Sequence, residues 1–238
     1  MKWRLILFVV VGSTLCIGQQ HDEKTIDERD PVVSRFDISE MPAIQALIDL
    51  SRNQNAPLGI VVDGERLCRS KVSYSGSNVP LSSIVKSIAA QVPGYGWEQN
   101  PESHVIRVTP VSVPAATQQF LNVVDEQYGP INANLQTLAF TLWVHIRYVL
   151  YPNRGTAGSI LASSTDPVFE LEIKHATAQT ILDRIAVLTR GTWVLRPLPP
   201  TLTNLGADLP FAIFSNIGQV GSNSEDLCFV KGEKSPAR

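Results

Sequence analysis

Apolar positions along the chain switch repeatedly between a period of two and a period near 3.6. Phe36 and Ile38 alternate with Arg35 and Asp37, which predicts a short half-buried strand. Ile44, Leu47, Ile48 and Leu50 then mark one face of a helix running to about Asn53. Ser39 reads as its N-cap, with Glu40 and Pro42 in the first turn. The segment "NQNAP" breaks this helix, and Leu58 to Val62 form a continuous apolar run of strand length before the Asp63-Gly64 turn. Val72 and Tyr74 share one face of the next strand. Leu81, Ile84, Val85 and Ile88 follow as an i, i+3, i+4, i+7 stripe, with Pro80 at the helix start. Pro93 cannot continue that helix and Gly94 is free to turn left-handed. Tyr95 to Gln99 and His104 to Thr109 read as a hairpin across "NPES", so the predicted order is β-α-β-β-α-β-β.

The rest of the chain repeats this pattern less regularly. Phe120 to Val124 reads as a strand, and Ile131, Leu135, Leu138 and Leu142 mark a helix beginning near Asn132. The apolar stretch from Leu135 to Tyr151 is interrupted by Gln136, His145 and Arg147, so it reads as a buried helix and not a bilayer span. After a loop, Phe169, Leu171 and Ile173 point inward and Glu170, Glu172 and Lys174 outward along "VFELEIKH". Ile181, Leu182, Ile185 and Leu188 give the last helix its apolar face, Gly191 is its expected cap, and "TWVLRPLPP" is a strand ended by prolines.

Val79 to Trp97 and Ala176 to Val194 align without a gap, with Ile84/Ile181, Ile88/Ile185, Ala89/Ala186 and Gly94/Gly191 identical. Upstream, Val72/Phe169 and Tyr74/Leu171 keep the same spacing. The expected fold class is α+β: two small βαββαβ-type sandwich units in tandem, the second less regular. The expected division is a signal peptide at 1–18, a flexible leader at 19–33, a first unit at 34–112, a second at 113–200 and a C-terminal tail at 201–238. Within the tail, "LPFAIFSNIG" is apolar enough to pack back on the body, whereas "KGEKSPAR" reads as loose.

Composition narrows the function. The formal net charge is −2 with no basic patch, which argues against nucleic acid as a partner. Lys2 and Arg4 precede the apolar run Leu5 to Val11, and Cys16 and Gly18 supply small residues before Gln19, the pattern of an export signal. Leu15 is a poor match to the position before a lipidated cysteine, so acylation of Cys16 is the weaker reading. The mature chain is then expected to be periplasmic or secreted, without a membrane span. It would keep Cys68 and Cys228, which are either a disulfide pair formed in an oxidising compartment or two small buried apolar residues.

The residues from Phe36 to Trp97 resemble the short N-terminal domain shared by secretins and TonB-dependent receptors. Carrying the resemblance are Phe36-x-Ile38 leading a helix with Ala46-Leu47, the central strand Ile60 to Val62, the Val72/Tyr74 strand, Val79 before the second helix, and the Gly94 turn to Trp97. It spans roughly 34–109, while the second copy matches only from about Phe169 to Arg196. The resemblance implies a compact periplasmic protein-protein module. The stretch after Pro200 is too short for the β-rich gate of a secretin or the plug and barrel of a receptor, so this chain is not expected to be the pore itself.

Catalytic signals are weak. His21, His104, His145 and His175 are scattered, with none at metal-ligand spacing from another histidine or cysteine. "RGTAGS" at Arg154 to Ser159 lacks the lysine of a phosphate-binding loop, and Asp63 and Glu65 belong to a turn. No catalytic, metal or cofactor residue is assigned. The sequence therefore points to a non-enzymatic interaction module, accessory to an envelope secretion, uptake or signalling complex, that binds through an exposed strand edge such as "VFELEIKH" or a helix-flanked groove. The alternatives are a small-ligand binder or enzyme with a site between the two units, signalled by His145 or His175 beside an acid in a cleft, and a self-assembling structural envelope protein.

Overall fold

The computed structural model describes residues 30–153, 167–196 and 211–215. The chain order is β1 (Val32–Pro42), α1 (Ala43–Gln54), β2 (Leu58–Val61), α2 (Arg66–Arg69), β3 (Lys71–Pro80), α3 (Leu81–Ala90), β4 (Tyr95–Gln99) and β5 (Ile106–Pro110). It continues with α4 (Ala115–Asn122), β6 (Val124–Asn134), α5 (Leu135–Leu150), β7 (Val168–Thr177), α6 (Ala178–Thr189), β8 (Thr192–Arg196) and β9 (Phe211–Ser215). The protein is thus mixed α+β, as its alternating periods predict.

A five-stranded sheet, ordered β4-β5-β2-β8-β9, lies at the centre. All four residues of β2 are buried, because it sits between β5 and β8 and runs parallel to both. Its all-apolar run follows from that position, since a central parallel strand is covered on both faces. Leu58, Ile60, Ile106, Val108 and Val194 join the core formed with α1 and α3. Val61, Trp193 and Leu195 join a second core with α5 and α6. The halves of the chain share this sheet through the β2–β8 pairing. β9, from the C-terminal stretch, completes it antiparallel to β8.

Two antiparallel ribbons, β1/β3 and β6/β7, accompany the sheet. Each ribbon strand runs directly into a helix. In the first half these helices follow Pro42 and Pro80 and have no side-chain cap. Their first amides instead continue the ladders: Ala43 N–H donates to Ser70 and Leu81 N–H to Pro31, which satisfies donors a helix start otherwise leaves open. In the second half Asn134 and Thr177 do cap, accepting from the amides of Thr137 and Thr180.

The registers of the two ribbons correspond. Val32 opposite Pro80 and Met41 opposite Val72 become Val124 opposite Thr177 and Ala133 opposite Phe169, a shift of 92 residues on one strand and 97 on the other. Each ribbon has one irregularity, between Ile38 and Met41 and between Tyr128 and Ile131. Asn78 and His175, also 97 apart, both take positive φ.

Several local expectations are corrected. Ser39 does not cap α1, because β1 continues to Pro42 through pairing with β3. Phe120 lies in α4, where Thr117, Phe120 and Leu121 form one buried helical face; a run of five residues was too short to separate the two periods. Ile131 belongs to β6, opposite Leu171, and α5 starts only after the Asn134 cap. Arg190, not Gly191, is the left-handed cap of α6, since the helix runs through Thr189.

Candidate functional site

The outer edge of β3 is guarded by one side chain. Gln91, immediately after α3, accepts from the Ser73 amide through Oε1 at 3.1 Å. Its Nε2 donates to the Ser73 carbonyl at 3.2 Å and to the Ser87 carbonyl at 3.0 Å. A side-chain amide thereby occupies the donor and acceptor that an incoming strand would use. Beside it, β1 is interrupted at Glu40, whose φ is 49°. Among the described residues, no side chain makes such a contact with the main chain of β7. Its exposed positions are Val168, Glu170, Glu172, Lys174 and His175, while Leu171 is buried and Phe169 and Ile173 half-buried. The inward/outward alternation expected for "VFELEIKH" is therefore present. Exposed apolar residues occur on β7 and on α6: Val168, Val187 and Leu188 are all exposed.

Between sheet and α6 lies a buried polar cluster that sequence reasoning missed. Asp183 of α6 is fully buried and accepts from Arg107 Nε at 3.2 Å, Asn100 Nδ2 at 3.0 Å, Ser103 Oγ at 3.2 Å and Trp193 Nε1 at 3.0 Å. Arg107 Nη2 also donates to it, and Arg107 Nη1 reaches Glu98 at 3.0 Å. Burial acts to lower the Arg107 pKa, but the hydrogen bonds and charge of Asp183 and Glu98 outweigh it, so the net shift is upward. Every polar partner here is engaged, which marks a structural tie between the halves and not a poised reactive group. Gly59 makes room for it: a Cβ there would stand 2.3 Å from the Trp193 ring. No periodicity signals Asp183; only its charge beside the Ile181–Leu182 pair of an apolar face was available to find it.

The histidines are placed as follows. His145 Nδ1 lies 3.0 Å from Asp125 Oδ2, with Asp125 largely buried and the imidazole partly exposed. The ring sits edge-on to Tyr128, whose hydroxyl donates to the Leu138 carbonyl at 2.6 Å. Burial, then the charge of Asp125, pushes the Tyr128 hydroxyl pKa up strongly, so Tyr128 is a fixed donor and not a base. His175 Nδ1 pairs with Glu126 at 3.0 Å with both side chains exposed. His104 takes positive φ in the β4–β5 connection. His21 and Arg154 to Ser159 lie outside the described residues, as do Cys16 and Cys228. Cys68, on α2, is disulfide-bonded. Its neighbours Glu65, Arg66, Arg69 and Ser70 line, with Pro93, an open depression of about 400 Å³. There Arg69 is already paired to Glu65 at 2.6 Å.

Among the described residues, no group of three or more His, Cys, Asp or Glu side chains could hold a metal ion. No described helix is long and apolar enough to cross a membrane. Comparison with protein families, curated proteins and solved structures finds no match to this chain.

Proposed function

We propose that this chain is an exported, non-enzymatic protein-protein interaction module made of two related α/β units, of the kind that the secretin and TonB-receptor N-terminal domains exemplify. The observation that carries the duplicated reading is the matched register of β1/β3 and β6/β7 on both sides of their irregularities. It is supported by β3, α3 and β4 beginning 97 residues before β7, α6 and β8. The interaction reading draws on the exposed strand edges and on the clustering of polar groups into satisfied structural contacts. Cys68 and Cys228 as the bonded pair, and a site in the periplasm or outside the cell, belong to the same proposal.

The test is a pull-down of tagged protein from a solubilised envelope extract, with light-scattering mass on the purified material. Specific capture of an envelope secretion, uptake or signalling component is the expected result. A discrete homo-oligomer without a partner favours the self-assembling structural reading instead. A clean monomer that captures nothing overturns the proposal.

A second reading rests on the His145–Asp125 pair, in which a buried carboxylate orients an imidazole whose other nitrogen is left for a ligand or proton. It predicts that some small molecule shifts the His145 ring resonances and loses its effect in Asp125→Asn. A broad ligand screen that leaves those resonances unmoved removes it.

A further inference from the structure

The two halves use the same frame but treat their outer edges differently. Ser70 accepts from Ala43 across the ribbon, and alternation then turns the Ser73 main chain outward, where Gln91 binds it. Shifted by 97 residues, Ser73 corresponds to Glu170 and Gln91 to Leu188. Phe169 stands opposite Ala133 as Val72 stands opposite Met41, so Glu170 likewise turns its amide and carbonyl away from β6. A leucine has no atom with which to occupy them. Leu188 is instead 41 % exposed, beside Val187 at 36 %.

We propose that the outer edge of β7, centred on Glu170 and flanked by Leu188 of α6, docks an extended segment of a partner protein in which basic and apolar residues alternate. This rests on the interaction-module reading and names its site and the chemistry of its partner. An added strand places alternate side chains on opposite faces. On one face it meets the exposed carboxylates of Glu170 and Glu172, with Glu126 on the neighbouring strand. Glu172 is already paired with Lys174 and Glu126 with His175, whereas Glu170 has no ionic partner among the described residues. On the other face it meets half-buried Phe169 and Ile173 together with Leu188. Basic residues suit the first face and apolar residues the second.

A second copy of this chain fits the edge poorly. Antiparallel self-pairing centred on Glu170 sets Glu170 against its own copy, and centring on Leu171 sets Glu170 against Glu172. Like charges directly opposite are destabilising. Centring further along meets His175, whose positive φ interrupts the strand.

The probe is a short synthetic peptide alternating arginine and valine, with a control in which glutamate replaces arginine. Binding is followed by calorimetry and by amide exchange in the full protein. The expected result is slowed exchange at Glu170 and Glu172, and affinity weakened roughly tenfold in both Glu170→Pro and Leu188→Gln. Proline at 170 removes an outward donor without touching the β6 ladder; if that variant fails to fold, Leu188→Gln, a surface change, carries the test. The inference is overturned by an unprotected Glu170 amide at about millimolar peptide, by protection at Ser73 instead, or by equal binding of the glutamate control. A dimer of the wild type that Leu188→Gln dissociates also overturns it, in favour of a second copy. Repeating the envelope pull-down with Leu188→Gln separates the two levels. Undiminished capture leaves the module reading standing and removes this edge, whereas no capture by the wild type removes the module reading itself.

Discussion

Set side by side, the strand-helix pairs β3–α3 and β7–α6 have the same register and helix placement, and three of the positions at which they differ carry the contrast. Pro80 becomes Thr177, exposed Lys86 becomes fully buried Asp183, and Gln91 becomes Leu188. The apolar stripe is common to both because both helices cover the central sheet. The differences arise from what lies opposite: α6 rests on the face where Arg107 emerges, and α3 packs in the core that holds Tyr95, Ile106 and Val108. A shared register thus fixes where side chains sit, while the surroundings of each strand-helix pair decide what those side chains must satisfy.

The largest expected effect tests the Lys86/Asp183 contrast. Asp183→Ala leaves the Arg107 guanidinium buried without its main partner and should cost about 3–5 kcal/mol in denaturant unfolding. Lys86→Ala, on an exposed surface, should change stability by no more than about 0.5 kcal/mol. Comparable losses at the two positions would break the comparison.

The packing behind that cluster is tested next. Gly59→Ala puts a methyl 2.3 Å from the Trp193 ring and should destabilise by about 1–3 kcal/mol. Adding Trp193→Phe should relieve part of the overlap, so the double mutant should be less destabilised than the sum of the single changes. Strict additivity in thermal unfolding would show that Gly59 is not there for the indole.

Caps come next in size. Thr177→Ala removes the side chain that accepts from the Thr180 amide at 3.1 Å and should lower stability by about 1 kcal/mol. Pro80→Ala breaks no cap hydrogen bond and is expected to cost less. The smallest change is Gln91→Leu, which removes exposed bonds to Ser73 and should cost about 0.5 kcal/mol. Its consequence is a newly open β3 edge, seen as binding of the arginine-valine peptide at a second location.

Much of this fold could be read from the sequence where one period dominates. The Leu81/Ile84/Val85/Ile88 stripe, the all-apolar Leu58 run and the alternation of Phe169, Leu171 and Ile173 each specify element and orientation. Reading was poorer where two strands meet a helix: Ile131 and Phe120 sit in short runs whose period is ambiguous, and pairing with β7 or packing of α4 decides them. Side chains that answer to a distant part of the chain left no local trace. Asp183 depends on Arg107 and Asn100, both far away in sequence. The repeat alignment pairs Gln91 with Leu188, but only the hydrogen bonds to Ser73 show what that exchange removes. The β7 edge was legible as an alternating strand; the lack of a Gln91-like contact to it among the described residues was not.

The most direct test of this contrast is residue-resolved amide exchange on the unliganded protein, comparing Ser73 with Glu170. Slow exchange at Ser73, fast exchange at Glu170, and a Ser73 amide that becomes fast in Gln91→Leu are the expected results. A Glu170 amide as protected as that of Ser73, or a Ser73 amide indifferent to Gln91→Leu, would contradict it.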